Sequence, residues 1–241
     1  MAENMADARI NGDGTVGAGT YGSIVLNGAG TVTGDVACNE LTVNGVGKCQ
    51  GSVKADTITV NGAGTFDGPV QAGEFRANGS ADVHAGMGVR LLKVAGTLAV
   101  DGGVAAHAVE LKGDMRVGGD LESDTLTGEG RFAINGMLNA GSIELRLHGR
   151  SSVNEIGCER MVLRPPDGIT AIFSAFADRR LVATTIEGDE LELIATTAKV
   201  VRGGRVTLGE GCEVDLVEYT GSLTKLAGAQ VREERKVEAA G

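Results

Sequence analysis

Between Ile24 and Leu145 apolar and polar residues alternate, and the alternation returns in register every seventeen positions. One apolar column holds Ile24, Leu41, Ile58, Phe75, Leu92, Val109, Leu126 and Ile143. Two residues on stand Leu26, Val43, Val60, Ala77, Val94 and Leu111. Further columns start at Val32, Val36 and Cys38, and the positions between them are mostly polar. A period of two marks strands with one buried face. The apolar pairs 24/26, 30/32 and 36/38 give three short strands per repeat, with corners at Gly28 and Gly34. The expected fold is all-β: a single-stranded parallel β-helix with triangular rungs of 17 residues, stacked about 4.8 Å apart.

The corners support the same reading. Gly28, Gly45, Gly62, Gly79, Gly96, Gly113 and Gly130 are in phase, and Asn precedes the first four of them. Tolerance of positive φ is the expected reason for glycine at this corner. Stacked asparagines can bond to one another as a ladder. Asn-Gly also suits β-hairpins, but a hairpin meander does not require one in-register apolar set per seventeen residues. Inward positions compensate: the column Gly30, Gly47, Gly64, Ala81, Leu98, Met115 grows to Phe132, where the neighbouring inward position becomes Gly128.

The phase breaks after about Met161. The expected organisation is a main β-helix over 10–163, of about eight to nine rungs, then a break over 164–180. That break begins Arg164-Pro165-Pro166, and Ile169, Ile172, Phe173 and Phe176 then fall on one face of a short amphipathic helix that caps the core or docks a partner. A second, shorter β-helical block follows over 181–231, from the pairs Leu191/Leu208, Val200/Val217, Val206/Leu223 and Val214/Val231. Residues 232–241 read as a charged, frayed tail.

Composition narrows the function. Glycine is 39 of 241 residues, proline only 3, and 42% of the chain is apolar, which excludes collagen and argues against disorder. With no Trp, two Tyr and five Phe, the core must be aliphatic. A net charge of −10 disfavours nucleic acid and a basic membrane-binding patch. No signal-peptide pattern opens the chain, so the expected location is the cytoplasm, with peripheral contact at the inner face of the membrane as an option. Cys38, Cys49, Cys158 and Cys212 form no CxxC pair and read as reduced core residues.

Chemistry is sparse. Gly12 to Gly17 matches GxGxxG but opens no helix, so a dinucleotide site fails its context. His84, His107 and His148 lack ligand spacing. The polysaccharide enzymes built on β-helices need clustered carboxylates and stacking aromatics; here Asp35, Asp67, Asp101, Asp120 and Glu122 scatter over different columns. Val206 to Val214 resembles a hexapeptide-acyltransferase coil, but the last histidine is His148. No catalytic, cofactor-binding or metal-ligating residue is expected. What remains is the end of the stack, where unpaired backbone and open core must be covered or shared. Residues 1–9 are too few and too polar to cap the first rung, which makes Ile10, Val16, Tyr21 and Ile24 the expected self-assembly interface.

The rungs NGxGxVxGxVxAxxLxVNG, from Leu26 to Phe75, resemble those of the bactofilins. The segment RLVATTIEGDELEL…TTAKVVRGGRVTLGEGCEVDLVEY is similar to the carboxy-terminal half of a longer bactofilin-like group in Bacillus-type bacteria. The resemblance implies a right-handed β-helix and nucleotide-independent, non-enzymatic polymerisation into cytoskeletal filaments. It further implies roles in organising cell shape, wall or flagellar machinery, with the chain itself or a paralogous bactofilin as partner. Many members carry an amino-terminal membrane-binding peptide, a pattern that MAENMADAR lacks. The competing expectation is a soluble β-helical binding module, capped at both ends, that docks a partner through its helix.

Overall fold

A computed structural model describes residues 5–164 and 179–238. The described residues are all-β, and parallel strands stack as a β-solenoid. Two compact units divide the chain, Met1–Gly119 and Asp120–Gly241.

The first unit contains β1 (Ala6–Ile10), β2 (Gly14–Leu26), β3 (Ala29–Val43), β4 (Val46–Cys49), β5 (Val53–Val60) and β6 (Ala63–Phe66). It continues with β7 (Val70–Ala77), β8 (Ser80–Val83), β9 (Met87–Val94), β10 (Thr97–Val100), β11 (Val104–Leu111) and β12 (Asp114–Val117). Pairing follows the sequence columns: Leu41 to Ile58, Ile58 to Phe75, Phe75 to Leu92 and Leu92 to Val109. These columns form the core, and all five side chains are fully buried. The first rung is a residue shorter at Gly14–Gly30, and the shift falls between Gly17 and Gly19.

The corner glycines have a reason other than the expected one. Positive φ occurs at Gly34 (101°) but not at Gly45, Gly62, Gly79, Gly96 or Gly113. A Cβ at any of those five would run into the carbonyl oxygen of the glycine one rung earlier. Stacking, not turn conformation, therefore excludes a side chain. Beside this corner the asparagine ladder is complete: Asn27 donates to Asn11, Asn44 to Asn27, Asn61 to Asn44 and Asn78 to Asn61, each at 2.8 Å. The inward glycines serve packing. A Cβ on Gly30 would meet Leu26 Cδ2 at 2.6 Å, and one on Gly47 would meet Val43 Cγ1 at 2.8 Å. Large neighbours already occupy that space.

The second unit contains β13 (Leu121–Leu147), β14 (Ser151–Arg164), β15 (Leu181–Leu193), β16 (Thr196–Leu208), β17 (Glu213–Lys225) and β18 (Gln230–Lys236). The expected break over 164–180 lies inside this unit. β14 and β15 flank it and pair in register, Ser151 with Leu181 and Met161 with Leu191. The helix expected at Ile169, Ile172, Phe173 and Phe176 lies outside the described residues. Rung length varies here: Ile134 pairs with Val153, Leu138 with Ile156, Leu191 with Val206 and Ala198 with Val214. Two expected pairs are therefore corrected. Leu191 stacks on Val206 and not Leu208, and Val200 on Leu216 and not Val217. The pairs Val206–Leu223 and Val214–Val231 stand. Ordered strand continues to Lys236, past Val231 and into the stretch read as a frayed tail.

Outward columns of the second unit alternate in charge. Glu187, Arg202, Glu218 and Arg235 stack one above another, with Arg202 Nε 2.8 Å from Glu218 and Arg235 Nη1 2.8 Å from the same carboxylate. Exposed pairs of this kind add little stability. A one-residue slip would break them all, so they help to hold a register that the variable rung length leaves less defined.

Candidate assembly surfaces at the terminal rungs

At the amino-terminal end β1 covers part of the first full rung. Ala8 stacks on Ile24, Arg9 on Val25 and Ile10 on Leu26. Ile10 is half-buried and leans over the bore, where its Cδ1 would lie 2.9 Å from a Cβ on Gly14. Val16 is 3% exposed, Tyr21 is half-buried, and the Tyr21 hydroxyl donates to the Gly17 carbonyl at 3.0 Å. Ile24 is fully buried beneath Ala8, one layer inside the surface. Of the four residues named from sequence, Ile10 and Val16 belong to the terminal rung, while Tyr21, under Ala6, and Ile24, under Ala8, lie one layer below β1.

The edge beyond these residues is rich in glycine. Gly14 to Gly19 pairs with β3 on one side, and among the described residues no strand lies on the other. A Cβ on Gly12 or Gly17 would meet nothing within 4 Å. On β1 the outward residues are Asp7 and Arg9, both exposed. Asp7 accepts from the backbone N–H and the hydroxyl of Ser23, both at 2.8 Å. Asp35 repeats that contact on Ser52, at 2.7 and 2.8 Å, and the two donors hold its carboxyl below the usual range.

At the carboxy-terminal end the core columns change character. Leu138, Ile156, Ile186, Val201 and Val217 form one buried inward column, and its next member on β18 is Glu234. A second column runs from Leu193 to Leu208 and then to Lys225. Lys225 Nζ pairs with the Glu234 carboxylate. An ion pair thus occupies two inward positions of the terminal rung. Inward-pointing charge blunts a strand edge, and polar end repeats finish solenoids. The sequence carries the signal as a lysine in the leucine column, but it is readable only once the fifteen- and sixteen-residue rungs are aligned.

The other titratable groups do not converge. Among the described residues no group of three or more His, Cys, Asp or Glu could hold a metal ion. A lateral groove of about 690 Å³ in the second unit runs between two outward columns, Ser152–Val182–Thr197 and Asn154–Thr184–Lys199, and among the described residues no aromatic side chain lines it. Burial disfavours the thiolate form of all four cysteines. Burial pushes Cys38 up to about 11, and Cys49 and Cys158 up to about 12; Cys212 is raised for the same reason. Thiolate is the reactive form. The native protein should therefore react with a disulfide reagent slowly, half-buried Cys158 first, and all four thiols should titrate rapidly in denaturant. Fast modification of Cys49 in the native state would contradict this placement.

His84 offers a local pH probe. Its Nδ1 lies 2.9 Å from Asp101 Oδ2, and this hydrogen bond raises its pKa, with further help from the charges of Asp101, Asp67 and Asp82. The sign follows from linkage: the contact stabilises the fold fully below the unfolded imidazole value. The stabilisation is lost as pH rises through the higher folded value. An NMR titration should place His84 above 6.5, and Asp101→Asn should lower it. An unchanged midpoint in Asp101→Asn would sink the assignment.

No helix among the described residues is long and apolar enough to cross a membrane. No family model matches the chain. No solved structure matches it. The chain is similar to two curated proteins of Bacillus subtilis (strain 168). It is 37% identical over 105 residues to "Uncharacterized protein YhbE", covering 43% of this chain and 44% of that protein. It is 36% identical over 103 residues to "Uncharacterized protein YhbF", covering 42% of each. The chain thus aligns with less than half the length of the curated relatives it matches.

Proposed function

We propose that the protein is a non-enzymatic, self-assembling scaffold whose β-solenoids stack end to end without nucleotide, as the bactofilin resemblance implies. The observation that carries this reading is the amino-terminal rung. Half-buried Ile10 and buried Val16 are the large apolar residues there, beside a glycine-rich strand edge with no partner among the described residues. An edge of that kind is a template for another strand. The wider role follows the resemblance: a cytoplasmic scaffold that organises shape, wall or flagellar machinery, alone or with a paralogue. Purified protein, concentrated without nucleotide, should form species larger than a monomer by sedimentation and negative-stain microscopy. A monomer at every concentration would remove the basis for the proposal.

A further inference from the structure

The two terminal rungs are built oppositely, and the difference sets the polarity of assembly. We infer that a second copy of this chain joins head to head at the amino-terminal edge, through antiparallel pairing of β1 with β1 about Ala8, and that the Lys225–Glu234 pair closes the carboxy-terminal end to further copies. This rests on the end-to-end assembly proposed above. It departs from an open filament by limiting the assembly to two copies.

The sequence of β1 carries the pairing. In Ala6-Asp7-Ala8-Arg9-Ile10 the two charged residues flank Ala8 symmetrically. A two-fold axis through Ala8 sets Asp7 of each copy opposite Arg9 of the other, and Ala6 opposite Ile10. Directly opposed residues in an antiparallel pair stand about 4.5–5.5 Å apart at Cβ, within reach of an ion pair. The edge is therefore complementary to itself, as an isologous interface requires. Asp7 meets Ser23 through Oδ1, and its second oxygen can take the partner's guanidinium. Glycines at 14, 17 and 19 keep the rest of the rung low enough for a second backbone to approach.

Head-to-tail stacking fails on the same observations. Ala8 and Ile10 lie over Ile24 and Leu26. In the second unit the inward positions of β17 that no later strand covers among the described residues are Leu223 and Lys225. A parallel continuation would thus press Ile10 of one copy onto Lys225 of the next. It would also bury the Lys225–Glu234 pair, whose desolvation opposes the contact. Two carboxy-terminal ends brought together would bury two such pairs.

Sedimentation equilibrium of the full chain tests this, with circular dichroism to confirm folding. The wild type should fit monomer and dimer only. Asp7→Arg alone and Arg9→Asp alone each oppose like charges twice, and each should weaken dimerisation about 100-fold. The double exchange Asp7→Arg/Arg9→Asp should restore it. An equimolar mixture of the two single variants should form a heterodimer, since each then supplies the charge the other lacks. Lys225→Leu/Glu234→Leu should extend the assembly beyond two copies. If Asp7→Arg disturbs the fold through its lost Ser23 contact, Arg9→Asp still carries the test. A wild type that stays monomeric overturns the assembly reading itself. A wild type that assembles, with single exchanges that leave it unchanged or a mixture that stays monomeric, overturns the antiparallel pairing alone. Open-ended growth of the wild type overturns the carboxy-terminal stop.

Discussion

Gly62→Ala should lower the unfolding free energy by about 1–3 kcal/mol, although it adds a single methyl group to a strand-rich protein. The new Cβ would collide with the Gly45 carbonyl oxygen and would lie 2.6 Å from that of Asn44. Both obstacles are backbone, held in the ladder by Gly62 N–H to Val43 O at 3.1 Å and Ala63 N–H to Gly45 O at 2.9 Å. Relief requires the rungs to separate, which strains those bonds and the Asn61–Asn44 contact beside them. Gly88→Ala is the control. Nothing lies within 4 Å of a Cβ there, and φ is negative or extended. Reduced freedom of the unfolded chain should make that change neutral or stabilising by about 0.4–1 kcal/mol. Urea unfolding of the two variants separates the explanations. Equal effects at both sites would mean that intrinsic strand preference, not cross-rung contact, places glycine at the corner.

This distinction explains what could be read in advance. The solenoid was legible because one rung length recurs from Gly28 to Gly113, so every column repeats its chemistry. The Asn27–Asn44–Asn61–Asn78 ladder was legible for the same reason. The role of the corner glycine was not. Close approach between rungs is a property of the stack, and the dipeptide Asn-Gly equally suggests a positive-φ turn. In the second unit, rungs of changing length defeat a fixed period: Leu191 and Leu208 are both inward, but on different columns. That misalignment also hid the terminal ion pair, because Lys225 and Glu234 look like surface residues until Leu208 and Val217 are placed beneath them. At the other end, Ile10 and Val16 were within reach of sequence, whereas the cover that β1 provides over Ile24 depends on a strand too short and polar to announce itself.

Phe75→Ala should have one of the two largest effects of any single truncation in the first unit, about 3–5 kcal/mol. Phe75 is fully buried in an otherwise aliphatic column, between Ile58 and Leu92 on the adjacent rungs. Its ring meets that of Phe66 edge to face, with centroids 5.7 Å apart at 64°. The cavity left by truncation has little means of collapsing. The backbone around it is pinned by parallel ladders on both sides, and Gly64, which packs beside its ring partner Phe66, has no side chain to shift. Phe75→Leu keeps the column aliphatic and most of the volume, and should cost less than about 1.5 kcal/mol. Phe66→Ala should resemble Phe75→Ala. The double variant should then fall short of additivity by about 0.5–1.5 kcal/mol, the share belonging to the ring pair. Because each rung contacts only its neighbours, a large local loss can also uncouple the stack. A lower urea m-value in Phe75→Ala would show the rungs on either side unfolding separately. An unchanged m-value with a cost below 1 kcal/mol would mean that the bore repacks freely, and that its layers are not the rigid stack that end-to-end assembly needs.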